Sequence, residues 1–307
     1  MPVQTARASR TRKKVAAMAF LLALVLYVDR AALSIFARAM RTDLGLGPMA
    51  MGWVFSAFVW GYALFHIPSG WLGDRFGARR ILTVIVVLWS GFTAATALAW
   101  NLSSLLVIRF LFGAAEAGAA PNISRSFSRW IPAAERGRAQ GVFFAGMSAG
   151  GAVAAPLATV LLVYWGWRSG FVVLGALGLI WAAAWFVWYR DDPNEHQSVN
   201  QAELDIICAP AAEARPVPMA WRHVLADSNM QAILAMYFTY GYTGYIYITW
   251  FPSYLTDVRH LSPEMTGLLA ALPTGLGMIA KPLGGWWSDR ASARHGLRFG
   301  RRRVGMV

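Results

Sequence analysis

Four ionisable residues stand inside otherwise apolar runs: Asp29 and Arg30 in LLALVLYVDRAALSIF, and Arg109 and Glu116 in SSLLVIRFLFGAAEAG. A charge at the centre of a membrane helix costs about 2.5–3.5 kcal/mol on insertion scales, so all four must face a bundle interior and find partners. Arg109 and Glu116 are seven apart and share one helix face. They are too distant to bond along that face and can bracket a cavity. Asp29 and Arg30 are adjacent and point about 100° apart, which gives them different partners. A carboxylate in hydrocarbon is suited to taking up and releasing a proton, whereas the planar fork of arginine is suited to holding another carboxylate. Ion pairs that only set packing are the competing reading. Buried pairs bring little net stability while intramembrane carboxylates commonly mark ion pathways, so function is favoured.

The elements that must position these charges are membrane helices. Of the 307 residues 57% are apolar and 14% charged, against roughly a quarter charged in an ordinary soluble domain. A hydrocarbon core about 30 Å thick needs about 20 apolar residues of helix, and such runs lie near 15–40, 49–72, 81–100, 102–128, 139–163, 169–188, 228–254 and 263–287. Twenty-one Lys and Arg fall in the connections on one side, against Arg38, Arg41, Arg168 and Arg259 on the other. The positive-inside rule therefore places both termini in the cytoplasm, as expected of a multi-pass inner (plasma) membrane protein. The net charge of +13 is split between apolar blocks, which argues against nucleic acid. With Cys208 the single cysteine, no intrachain disulfide or cysteine metal site is available. No metal, nucleophile or cofactor pattern accompanies the buried charges, so an enzyme is disfavoured.

The chain divides into a basic tail (1–14), a six-helix bundle (15–188), a Pro-containing polar linker (189–227) with a short amphipathic piece at AELDII, and two further helices with a basic tail (228–307). GWLGDRFGARRIL (Gly70 to Leu82) returns as GWWSDRASARHG (Gly285 to Gly296), with Asp74 over Asp289 and Arg75 over Arg290. A repeat on the scale of a helical bundle is a mark of secondary transporters.

The first of these motifs resembles the signature of the major facilitator superfamily between helices two and three. YVDRAALS, YALFHIPSGW, RFLFGAAEAGAAPN, WIPAAERGRAQG and YGYTGYIYITWFPSYL are similar to segments of its anion:cation symporter family, which carries sugar acids, aromatic acids and sialic acid. The resemblance implies an all-α polytopic protein with a complete N-terminal six-helix bundle and the first two helices of a C-terminal one. It implies symport of a small organic anion with protons and no cofactor. Asp29 and Glu116 are then the proton carriers, and Arg30, Tyr62 and Arg109 meet the anion.

Other candidates follow from position. Met147 stands where sugar-acid carriers have Gln, which favours a more apolar acid. Tyr240, Thr243 and Tyr247 share a face at helical spacing, so Tyr240 and Tyr247 are candidate cavity residues. His66, one turn beyond Tyr62, is read first as a packing residue. Lys281 is expected to snorkel. Gly70, Asp74, Arg75, Gly77, Arg79, Arg80, Arg138, Asp289 and Arg290 are the expected cytoplasmic gate motif, with Asp74 and Arg138 parts of one lock. Since the family pattern has twelve helices, a truncated, non-transporting remnant is the alternative expectation, with Asp29 and Glu116 on the side of the bundle left without a partner. The oligomeric state is open.

Overall fold

The computed structural model describes residues 8–132, 135–208 and 226–295. Helix α1 (Thr11–Leu44) ends where Gly45 turns left-handed at φ 65° and returns its N–H to the Arg41 carbonyl. Helix α2 (Pro48–Phe76) opens on proline, whose missing N–H is no loss in a first turn. It stops at Gly77, φ 85°, which leads straight into α3 (Ala78–Ala95). Asn101 caps α4 (Leu102–Glu116) by accepting from the Ser104 amide at 2.8 Å, and the Ser104 hydroxyl answers to the Asn101 amide.

The fourth expected span is two helices. α4 stops at Glu116 and α5 (Ala119–Trp130) resumes after Gly118. A Cβ on Gly118 would lie 2.3 Å from Ile85 Cδ1 and 2.7 Å from Ser69 Cβ, so the break lets three helices meet there. The Asn122 amide laces the junction, donating to the Gly118 carbonyl at 2.7 Å and the Ser69 carbonyl at 3.2 Å. The fifth and sixth expected spans both fall within α6 (Arg136–Trp188), which bends sharply at Gly166, φ 75° and ψ 166°. Before that point Gly146 and Gly150 meet Phe20 and Leu24 of α1 in the same chain direction. After it Phe171 touches Phe36 and Trp181 donates to the Met18 carbonyl, so the chain has reversed.

Beyond α7 (Gln201–Ile207) come α8 (Ser228–Tyr245), a π-helical segment (Ile246–Trp250), α9 (Phe251–Asp257) and α10 (Pro263–His295). Helix seven is thus interrupted where the sequence suggests one run. Its first part buries no residue, whereas Pro252 and Leu255 after the interruption are buried. α10 lies along α6, with Gly267 against Thr159 and Gly275 near Ala152. Every described element is helical, and outward residues such as Trp60, Ile67 and Ile180 are apolar, as a lipid-facing surface requires.

Two apolar clusters fill the first bundle. One gathers Val15 to Leu26 of α1 with Trp89, Trp130 and Trp185. The other gathers Val28 to Met40 with Val54, Leu105 and Phe171. Asp29 and Arg30 lie where the clusters adjoin. α2 and α4 cross there at backbone contact, since a Cβ on Gly61 would fall 2.1 Å from the Phe110 carbonyl and one on Gly113 2.1 Å from that of Phe58.

The first part of the polar stretch is folded back on the bundle. The buried Glu203 carboxylate accepts from the Thr11 amide at 3.0 Å and the Arg12 amide at 3.1 Å, capping α1 from outside. Ser9 also donates to it, and Arg12 bridges it to Glu135. Burial alone would raise the Glu203 carboxyl. The hydrogen bonds from Ser9, from the Arg12 and Thr11 amides and from the Arg12 side chain together hold it below the ordinary glutamate value. Glu135 is held low chiefly by its hydrogen bond from Arg12.

Gly61→Ala or Gly113→Ala should force α2 from α4 and cost about 1–3 kcal/mol in thermal unfolding. Gly91→Ala, which meets nothing within 4 Å, should be neutral, and equal effects at all three sites would contradict the crossing. Both clasp carboxyls titrate below their unfolded values, so the clasp is at full strength above about pH 4.3 and weakens as pH falls further. Amide exchange at Thr11 and Arg12, corrected for intrinsic rates, should stay protected between about pH 5 and 8 and lose protection below about pH 4. Glu203→Ala should remove that protection throughout.

Candidate functional site

α1, α2 and α4 converge on a layer of charge and aromatic rings. Arg30 of α1 grips one oxygen of Glu116, at the last residue of α4, through both Nε and Nη2. A cation at a helix C-terminus also meets the negative end of that helix dipole. The Arg30 guanidinium lies 4.8 Å from the Tyr62 ring centroid, 5.0 Å from Phe58 and 5.5 Å from Tyr27. Arg109 lies over Phe112 at 4.0 Å and 5.7 Å from Phe58, so Phe58 stands between the two arginines.

Asp29, Arg109 and Glu116 are each no more than 2% exposed. Both Asp29 oxygens, Nε and Nη1 of Arg109 and the second oxygen of Glu116 have no hydrogen-bond partner. The Trp89 indole approaches Asp29 without closing a bond of normal geometry. One of the two possible ion pairs is therefore made, and the donors and acceptors of the other are left unpaired in the buried layer. That is a poor way to stabilise a fold, because an unpaired buried polar group costs about 1–3 kcal/mol or more.

Several expectations change. Asp29 and Glu116 do not line an open side of the bundle: both are buried, and Arg30 reaches across to cover Glu116. Glu116 is bracketed by α1 and not by Arg109 of its own helix. Tyr240 stands exposed on α8, away from the charged layer. The π segment breaks the spacing that would align it with Tyr247, and Tyr245 is the helix-seven tyrosine within electrostatic reach of Arg30 and Glu116. Tyr247 lines a cavity of about 20 Å³ with Tyr27, Ser34 and Gly151, room for a single water. Met147 packs on the apolar cluster of α1. His66 stacks on Tyr62 at 5.2 Å, extending the row Arg30, Tyr62, His66, and its Nδ1 is buried without a partner.

At the end of α2 Asp74 pairs with Arg125 at 2.5 Å and not with Arg138, which is exposed beside Glu135. Gly70 packs on Pro121, and Gly77 sits against Asp191. Arg79 donates to the Phe186 carbonyl at 2.9 and 2.7 Å while its amide donates to Asp191, which ties α3 to the end of α6. Arg75 lies over Trp71 and Phe76, and Arg80 is exposed. Arg290 is exposed, and the side chains of Asp289 and Lys281 lie outside the described residues, as does the 296–307 tail. Among the described residues no group of His, Cys, Asp and Glu could hold a metal ion.

Residues 19–307 match the model of the Major Facilitator Superfamily. A probable sulfoacetate transporter of Cupriavidus necator is 36% identical over 95% of this chain and 68% of its own length. A hexuronate transporter of Bacillus subtilis is 36% identical, covering 96% and 69%. A probable galactarate/D-glucarate transporter of Escherichia coli is 34% identical, covering 94% and 68%. The chain thus spans about two thirds of the length of these relatives. The crystal structure of a bacterial homolog to the human lysosomal transporter Spinster superposes with a TM-score of 0.76 at 21% identity, over 92% of this chain and 64% of that one. That of a D-xylose-proton symporter gives 0.66 at 13% identity, over 91% and 69%. These two likenesses concern the fold.

Arg30→Met, which strands the Glu116 carboxylate, should cost about 3–5 kcal/mol of stability, while Arg30→Met with Glu116→Leu should recover most of it. A double-mutant cycle on thermal unfolding measures this. Additive losses would mean that the two side chains do not form the pair.

Proposed function

The chain belongs to the Major Facilitator Superfamily, and on that premise we propose that it moves a small organic anion across a membrane together with protons. The observation that carries this reading is the buried set of two arginines and two carboxylates in which only Arg30 and Glu116 are paired. Arginine stays cationic under any ordinary condition, so the charge balance of the layer is set by the protons on Asp29 and Glu116. A substrate carboxylate docked on Arg109 adds one negative charge to a low-dielectric interior. A proton taken up by Asp29 or Glu116 restores the balance. Coupling of anion to proton then follows from the cost of leaving a charge uncompensated.

Each residue has a task in this scheme. Arg109, with Nε and Nη1 unengaged, offers the bidentate contact to the anion. Tyr62, Phe58 and Tyr27 hold the Arg30 guanidinium in place by stacking on it. When Glu116 takes a proton, Arg30 is released from its partner and becomes a second anion contact. The named substrates of the relatives, sulfoacetate, hexuronate and galactarate or glucarate, all bear a carboxylate, which supports an organic acid as the cargo here. Met147 in place of a polar amide favours one with fewer hydroxyl groups. The residues before α1 and after α10 are assigned to the cytoplasm from the Lys and Arg count. Asp74 with Arg125 then lies at the cytoplasmic end of the first bundle. Transport proceeds by rocking of that bundle against the elements that follow residue 227.

In vesicles reconstituted with the purified protein, Asp29→Asn and Glu116→Gln should each abolish accumulation driven by a proton gradient while part of the substrate exchange survives. Exchange does not require the empty carrier to shed its proton. Undiminished accumulation in both variants would remove them from the coupling. Arg109→Lys should weaken anion binding by about tenfold or more, the equivalent of one charge-assisted hydrogen bond of about 1.5–3 kcal/mol. A panel of radiolabelled sugar acids, sulfonated acids and aromatic acids identifies the cargo, and wild-type affinity in Arg109→Lys would sink its role as anchor.

A further inference from the structure

The last turn of α1 and the end of α9 meet at the opposite end of the bundle from the Glu203 clasp. Arg41 Nη1 is paired with one oxygen of Asp257, Arg38 Nε lies 4.0 Å from the other, and Arg38 Nη1 donates to the Thr256 carbonyl at 3.4 Å. Two guanidiniums of one helix, three residues apart on a shared face, therefore share a single carboxylate from another. The Nε of Arg41 is buried and has no partner, so half of its fork is unused. Of the other acids at this end, Asp43 is taken up by Arg168 and by the Trp167 indole at 3.2 Å, and Glu264 stands in the first turn of α10 with its hydrogen bond from Ser262.

Asp257 sits on a segment built to move as a unit. α9 is seven residues long and follows the π-helical Ile246–Trp250, and π segments often mark sites of functional adjustment. Trp250 packs edge-on against Phe55 at 5.6 Å, and a Cβ on Gly52 would lie 3.6 Å from its ring, an apolar contact that slides more readily than a hydrogen-bonded one. α1 by contrast is clamped along its length by α6.

We propose that Arg38 and Arg41 form an anion-recruiting site at the outer mouth, which binds the carboxylate of an organic anion before it reaches the buried layer. Asp257 is a tethered stand-in that fills the site while helix seven is docked. The arriving carboxylate replaces the Asp257 carboxylate on the same two arginines, gains the unused Nε, and frees α9. Only the assignment of this end to the outside and the identity of the cargo rest on the transport reading. Binding of a carboxylate to the two arginines does not.

The competing view is a plain lock between α1 and α9, and the two differ in sign. Acetate is the probe, titrated at constant ionic strength against chloride into purified protein that carries Arg109→Gln throughout, so that the buried anchor does not respond, with the thermal unfolding midpoint as readout. If Asp257 occupies the arginines in about nine molecules of ten, Asp257→Asn should strengthen acetate binding about tenfold, whereas Arg41→Gln should abolish it and Arg38→Gln weaken it. A lock predicts that Asp257→Asn and Arg41→Gln change the acetate response alike, and that result overturns the proposal. The exchange Arg41→Asp with Asp257→Arg restores an ion pair and keeps the protein folded if Asp257→Asn does not. It should show no acetate response, and a wild-type response there would equally refute the site. Failure of uptake with the acetate response intact would remove the transport reading and leave this one standing.

Discussion

Every feature of the first bundle answers to the cost of keeping Arg30 and Glu116 out of water. A lone charge in hydrocarbon would expel its helix or draw in solvent. The bridge between α1 and α4 avoids this only if two helices separated by eighty-six positions are held to the tolerance of a hydrogen bond. The sequence meets that demand with small residues. Gly61 and Gly113 let α2 and α4 touch at backbone distance, and Gly146 and Gly150 do the same for α1 and the helix that follows residue 136. Without an aqueous hydrophobic effect to drive helices together, close approach and satisfied polarity have to do so.

The same constraint explains the break after Glu116. Beside the break, any side chain at Gly118 would collide with Ile85 and Ser69. Ending α4 at Glu116 places the last residue of the helix against Arg30, and the Asn122 side chain donates to the Gly118 and Ser69 carbonyls across the junction. α5 then leaves in the direction that brings Arg125 to Asp74. A single glycine thus connects the geometry of the charged layer to that of the Asp74 motif at the end of α2.

Much of this was legible in the residues themselves. Long apolar runs reveal helices because length and hydropathy are local properties, and a charge inside such a run marks an interior face by its cost alone. What the runs do not reveal is which helix supplies the partner. The seven-residue spacing of Arg109 and Glu116 suggested a shared cavity wall, yet the bond is made by Arg30, a contact set by crossing angles that no periodicity encodes. Phe58 was overlooked as a generic apolar residue, although its place one turn before Tyr62 put it on the same face. The helix-seven tyrosines misled for a different reason: helical spacing groups Tyr240 with Tyr247 but does not say which face of α8 meets the bundle, and Tyr245 is the one within electrostatic reach of Arg30. Arg125 was missed as the partner of Asp74 because the two lie fifty-one positions apart and meet only through the way α5 packs beside the end of α2.

The contrast between the two arginines of the layer carries the last step. Arg30 is paired, stacked among three rings and adjacent to a helix terminus, and its removal damages the fold. Arg109 is equally buried, but its Nε and Nη1 address nothing, and Asp29 on the neighbouring helix is left with both oxygens unanswered. Had selection been for stability alone, replacing Asp29 and Arg109 by apolar residues of similar volume would be neutral or favourable. Keeping both is what the proposed cycle requires, in which the guanidinium receives an anion and the carboxylate a proton. One pair therefore sets the geometry of the bundle, and the groups beside it are held incomplete at the depth where that geometry is most rigid.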